Sequence, residues 1–287
     1  MINKAEIDKL QIDIKNDEYF GLITKSYAEG LWETHTSNIL FFNYFLKTER
    51  VTTFHVLMRC IFSCGTFSLS EFYSFCSENK ISGKNNAIRF VDYLVHAEII
   101  MLIKMNDRRR KKIVLTEKGK RYLDRFTLKT LNPLAIYDPE INCSLLLTDC
   151  FYKDYYSSHN INDCISWKAH LDSTFFIDKK QLLDIQSKSA GLIFLMRIFL
   201  DVGSGELKVG EEIKNSFFKN LSLKIGISNS HARNLVALLT DGGFIEKKSS
   251  VSHLIKDELI IGIEEIISLH LASDYYFIRN FLYKKRS

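Results

Sequence analysis

Apolar residues recur at helical spacing through most of the chain, and then, over one short span, they do not. EGLWETHTSNILFFNYFLK, Glu29 to Lys47, predicts a single apolar-faced helix, and TFHVLMRCIFSC, Thr53 to Cys64, predicts a second that ends near Gly65. In SLSEFYSFCSEN, Ser68 and Glu71 have the spacing of a capping box, and Phe72, Phe75 and Cys76 share one face. In ISGKNNAIRFVDYLVHAEII, Ser82 or Gly83 opens a helix with Ile88, Val91, Leu94 and Val95 on its buried side. Lys84, Asn85, Asn86 and Arg89 gather in its first two turns, mostly off that side. The period then shortens. IIMLIKM and KIVL are aliphatic, β-branched runs on either side of NDRRRK, which suits a hairpin tip. Thr116 is a good N-cap for EKGKRYLDRF, a helix that Gly119 weakens slightly. The chain's two prolines, Pro133 and Pro139, fall together and predict a break there, leaving long uninterrupted segments on either side.

Three short helices followed by a hairpin read as a winged helix-turn-helix, so the expected fold is mainly α with small β-hairpin wings. A helix about 10–12 Å across fits the major groove of duplex DNA. Short polar side chains at its leading end reach base edges, and a hairpin carrying guanidiniums can enter the negative minor groove. Charge sharpens this picture. The 287 residues carry a net +5, but residues 84–130 hold thirteen Lys and Arg against five Asp and Glu, a net +8. The remainder is slightly acidic. So one-sided a field points to a polyanionic partner, either nucleic acid or an anionic membrane surface. Arg108, Arg109, Arg110, Lys111 and Lys112 are adjacent and repel one another unless phosphates neutralise them in use, and counterion release would then supply much of the affinity.

Asp107-Arg108-Arg109, five residues, then Leu115-Thr116-Glu117-Lys118-Gly119 resembles the wing motif of the multiple-antibiotic-resistance regulator (MarR) family. The resemblance covers about 75 residues, from the helix near Thr53 to Phe126. It implies Asp107 as the residue that stiffens the wing, with Arg108 or Arg109 as its partner or as the minor-groove probe. Members of that family are usually homodimers of about half this length.

A second, degraded copy would account for the excess, the alternative being a generic helical domain with a chance Ile-Ser match. ISNSHARNLVALLTDGGFIEKK lies on ISGKNNAIRFVDYLVHAEIIML at an offset of 145, with Tyr93-Leu94 on Leu238-Leu239 and Ile99-Ile100 on Phe244-Ile245. The leading Ile-Ser pairs need 146, so the copies differ by one residue at the turn. Upstream, SAGLIFLMRIFLDVG resembles the helix near Thr53. The second helix offers Ser228, Asn229, Ser230, His231, Arg233 and Asn234 to DNA, while its wing, KKSSVSHLIK, is short and nearly uncharged beyond Lys247 and Lys248. That weak charge also permits a second helix that has lost DNA and serves in dimerisation or partner contact. The expected organisation is a winged-helix domain at 1–130, a helical interface at 131–188 and a second winged-helix domain at 189–287. Glu29–Lys47 and the tail Asp257–Leu282 would pack together as terminal helices. Two winged helices in one chain resemble, in architecture, the staphylococcal regulators of the Sar type. The chain would be a monomeric pseudo-dimer or half of a further dimer.

Other chemistry is thin. There is no Walker loop, GxSxG or HExxH; GSGELKVG at 203–210 lacks a P-loop's Lys-Ser/Thr, and SSHN at 157–160 is no triad. No catalytic residue, metal site or cofactor is expected. The six cysteines form no CxxC pair and read as small buried hydrophobes, with a redox or metal switch as the alternative. His55 and His96 read as structural. No apolar run reaches a membrane span and no signal-peptide pattern is present, so the expected address is the cytoplasm. The expected function is a DNA-binding transcriptional regulator; the alternatives are a plasmid or phage replication initiator with tandem winged helices and a winged-helix protein-interaction module. The family resemblance also implies a small aromatic effector between interface helices rich in Phe, Tyr and Trp, Trp32 and Trp167 among them.

Overall fold

The computed structural model describes residues 3–62, 67–107, 110–142, 146–158 and 180–286. The fold is mainly helical, with one two-stranded and one three-stranded antiparallel sheet. In order, the elements are α1 (Lys4–Lys15), α2 (Phe20–Ser37), α3 (Ile39–Phe45), α4 (Thr48–Phe62), α5 (Leu69–Glu78), α6 (Lys84–His96), β1 (Ile100–Lys104), β2 (Lys111–Leu115) and α7 (Glu117–Tyr137). Next come α8 (Asp149–Ser158), α9 (Lys180–Ser187), α10 (Gly191–Gly203), β3 (Glu212–Lys214), α11 (Asn215–Lys224), α12 (Asn229–Asp241), β4 (Ile245–Lys247), β5 (Ser252–Ile255) and α13 (Asp257–Arg286).

Local chemistry explains most of the boundaries. The Ser68 side chain accepts from the Glu71 amide and the Glu71 carboxylate accepts from the Ser68 amide, a complete capping box at α5. Thr116 caps α7, its Oγ1 accepting from the Gly119 amide at 2.9 Å. Three expectations need correction. The segment Glu29–Lys47 is not one helix: Asn38 leaves helical geometry and its side chain caps α3 by accepting from the Phe41 amide at 3.2 Å. Nor does Pro133 break α7, which runs through it to Tyr137. Pro133 is buried, so packing offsets the one helical hydrogen bond that its missing N–H forfeits. The buried side of α6 is also rotated from the one expected. Ala87, Phe90, Val91 and Leu94 are buried, Ile88 is half-buried and Val95 is 36% exposed, because Phe90 rather than Ile88 points into the core.

The chain repeats one order of elements: helix, short extended segment, helix, helix, two strands, long helix. Both α5 and α11 are ten residues and lie 146 apart; both α6 and α12 are thirteen residues and lie 145 apart. The one-residue slip falls in the turn between them. Ile81 N–H donates to Cys76 C=O and Ile227 N–H to Ser222 C=O, with left-handed backbone at Lys80 and Gly226. After the next helix the match repeats, with Ile99 donating to Leu94, Phe244 to Leu239, and left-handed Glu98 matching Gly243. In the second sheet β5 lies between β3 and β4, with Lys214 opposite Ser252. The first sheet shows the same pairing reduced to an isolated bridge, Ser68 opposite Lys112. Leu57-Met58-Arg59 on α4 and Leu195-Met196-Arg197 on α10 match as well, and the Leu-Met pairs are fully buried in both.

The copies share one core. Helix α1 packs on α13 and α2 on α7 and α10, while α8 packs between α4 and α13. On one side α3 stacks Phe41 and Phe45 and sets Tyr44 against Tyr93 of α6, 3.9 Å between ring centres. A polar cluster sits at the centre. Lys129 of α7 is buried with its amine over the Tyr27 and Phe126 rings, 4.9 and 4.3 Å from their centres. Asp274 of α13 acts on it from nearby and accepts from Tyr155 Oη at 2.9 Å; burial pushes the Asp274 pKa up, while the Lys129 charge pulls it down. Gln186 donates to His270 Nε2, so His270 carries its proton on Nδ1 and donates to Tyr27 Oη; both contacts are 2.9 Å. Desolvation holds the His270 pKa down to about 3, and the nearby Lys129 charge adds to the effect.

Candidate nucleic-acid interface

The leading end of α6 faces solvent. Its N-cap, Gly83, leaves no side chain over the first turn, and Lys84, Asn85, Asn86 and Arg89 are all exposed. Ser82 does not join them. It is 6% exposed and donates to Glu49 Oε1 at 2.7 Å, so it fastens the turn to α4 instead of facing outward. Asn86 lies at the edge of the same carboxylate, 3.4 Å away.

The β1–β2 hairpin follows at once. Its five-residue register runs from Ile100 opposite Leu115 to Lys104 opposite Lys111, and Met105 N–H donates to Arg110 C=O to close the ladder. Asp107 stands in the tip, where its carbonyl accepts from the Arg110 amide at 2.9 Å. Arg108 and Arg109 lie outside the described residues. The Arg110 guanidinium turns back to Glu71 Oε1 at 2.8 Å, both side chains being about half exposed. Lys111 is exposed and Lys112 half-buried, on opposite faces of β2. Lys84, Arg89, Lys104, Lys111 and Lys112 make no ion pair among the described residues. The result is a strip of free ammonium and guanidinium groups on a helix end and a hairpin, next to short amides. Such a strip can neutralise phosphates and hydrogen-bond polar edges.

The second copy is different. Ser228 caps α12 by accepting from the His231 amide at 3.2 Å, and Asn229 Oδ1 accepts from Ser222 Oγ at 2.8 Å. His231 Nε2 donates to the Ser189 carbonyl at 2.9 Å. Three of the six residues expected to face DNA here are thus engaged within the fold; Ser230, Arg233 and Asn234 are exposed. On the short second hairpin Lys248 pairs with Glu246 at 2.7 Å, lowering the Glu246 pKa.

The acids that hold these polar residues carry no sequence signal of that role. Glu71 is at once capping-box residue and partner of Arg110, and the amide and hydroxyl of Ser68, followed by Arg110, lower its pKa. The capping motif is readable in the sequence; that Arg110 reaches it depends on the Ser68–Lys112 bridge, which pairs residues far apart along the chain. Trp32 is half-buried beneath Arg197, 5.0 Å from the guanidinium to the ring, and Trp167 lies outside the described residues. A groove of about 460 Å³ runs along α5 between Phe67, Phe75, Glu71 and Glu78, with an acidic rim unlike an aromatic effector site. His55 meets the Tyr156 ring edge-on at 5.8 Å, while His96 is exposed at the end of α6. Burial pushes the Cys60 and Cys76 thiols up to about 12, far from a reactive thiolate. No cluster with metal-binding composition occurs among the described residues, and no helix among them is long and apolar enough to cross a membrane.

Comparison of the chain with family models, curated proteins and solved structures finds no match.

Proposed function

We propose that the chain is a sequence-specific, double-stranded-DNA-binding transcriptional regulator built from two winged helix-turn-helix units in a single-chain pseudo-dimer. The observation that carries this reading is the exposed start of α6, where Lys84, Asn85 and Arg89 face solvent and the two cations make no ion pair among the described residues, followed directly by the basic β1–β2 hairpin. In this reading α6 enters the major groove. Asn85 and Asn86 face base edges, Lys84 and Arg89 meet phosphate or guanine, and the hairpin tip with Arg108 and Arg109 reaches the neighbouring minor groove. The Arg110–Glu71 pair does not oppose this, because a half-exposed pair is weak enough for a phosphate to displace the carboxylate.

The test is binding to promoter-region duplexes across a salt series. Affinity is expected to fall with a log–log slope of about −0.9 for each phosphate contacted. Arg108→Ala/Arg109→Ala and Lys84→Ala/Arg89→Ala are each expected to weaken binding at least tenfold. Absent or salt-independent binding refutes the reading.

A further inference from the structure

The two units are not equivalent at the turn that leads into their second helices. In the first, the left-handed residue is Lys80, exposed, and exposed Ser77 lies in the last turn of the preceding helix, which ends at Glu78. In the second, the matching residues are Gly226 and Leu223. A side chain on Gly226 would place its Cβ 2.5 Å from Ile39 Cγ2, so α3 lies directly on the turn. Asn43 of α3 fixes it there. Its amide nitrogen donates to the Ile225 and Gly226 carbonyls at 2.8 and 3.1 Å, and its oxygen accepts from the buried His35 Nε2 at 2.8 Å. Ser189, whose carbonyl holds His231, donates through its hydroxyl to the Asn43 carbonyl at 2.7 Å. The contact thus links α2, α3, the turn and the leading end of α12 in one hydrogen-bonded series.

Two large apolar side chains stand exposed at this corner, beside the exposed Lys224. Leu223 is 68% exposed and Leu40, beside Ile39, is 81% exposed. Phosphates favour cations and amide donors at such a position, and leucines offer neither. The second hairpin adds little, being short and having Lys248 paired with Glu246.

We propose that the second unit does not read DNA, and that each chain carries one reader, which recognises a single unrepeated duplex element. Here α3 stands where the second unit's turn would otherwise meet the phosphate backbone. The proposal rests on the DNA-binding reading of the first unit and removes the two-fold symmetry that two readers would impose on the site.

The test is selection by the full chain from a random library of duplexes about 30 base pairs long, roughly three helical turns. The expected product is one element confined to about one helical turn, bound by one chain in sedimentation equilibrium. On that duplex Ser230→Ala/Arg233→Ala is expected to change affinity less than twofold, while Lys84→Ala/Arg89→Ala loses at least tenfold. A repeated element filled by two chains, one on each half, also supports one reader per chain. A repeated element spanned by one chain overturns the proposal, as does an Arg233→Ala loss equal to that of Arg89→Ala. Enrichment of no duplex at all overturns the underlying DNA-binding reading, and this proposal falls with it.

Discussion

Lys129 is a lysine in the core, and its chemistry sets a measurable pH dependence. Burial lowers its pKa from the ordinary 10.5 to about 8, with the Asp274 charge acting in the opposite direction. The unfolded chain therefore holds this proton between pH 8 and 10 while the folded chain releases it. Where the unfolded state binds more protons, stability rises with pH. Integrating between the folded and unfolded proton affinities gives a gain of about 2 kcal/mol from pH 8 to pH 10, a tenfold change in proton affinity being worth about 1.4 kcal/mol. Other groups titrate in that range, tyrosines above all, so the useful quantity is a difference. The reference is Lys129→Met/Asp274→Asn, which keeps the shape of the pair and an acceptor for Tyr155 but carries neither charge. Urea unfolding of both proteins at pH 7, 8, 9 and 10 should show the native chain gaining on the variant by about 2 kcal/mol between pH 8 and pH 10. A difference that stays flat, or that shrinks as pH rises, refutes the reasoning.

Three further outcomes are expected. Gly119→Ala should destabilise the fold by about 1–3 kcal/mol in denaturant melts, because the new methyl would lie 2.9 Å from Leu115 Cδ1 and closer still to the Ile99 carbonyl oxygen; Gly21→Ala, with open space around it, should be neutral or stabilising. Glu71→Gln keeps an acceptor for the capping box but frees Arg110, so DNA affinity should rise several-fold and the log–log salt slope should steepen by about one, read by fluorescence anisotropy. Asn43→Ala strips two carbonyls of their donor and His35 of its acceptor, and should cost about 1–3 kcal/mol by the same melts.

The periodic elements and the repeat are visible in the sequence, since these are written in local spacing. The capping box at Ser68, the α6 helix, both strands of the first hairpin and the one-residue slip between the copies can all be read that way. The failures share a cause, which is that tertiary packing outweighs local preference. Asn38 splits a continuous apolar run because its side chain caps a new helix. Pro133 continues a helix because it is buried in the packed core there. Gly119, which local propensity marks as a weakness, is there because the start of α7 lies against the Ile99 carbonyl. In the candidate interface, the exposure of Lys84, Asn85 and Arg89 follows from their position off the apolar face. The fates of Ser82, Arg110 and His231 do not, because each depends on a partner far away in sequence: Glu49, Glu71 and Ser189.

The two hairpins differ in length by the equivalent of the NDRRR insertion, which only the first one carries. In an assembly of identical subunits every insertion is made on both sides, and each must be tolerated wherever it lands. Fusing the halves into one polypeptide removes that constraint. One half is free to acquire a cationic projection while the other trades its equivalent turn for a glycine and a leucine, and neither change has to suit both places.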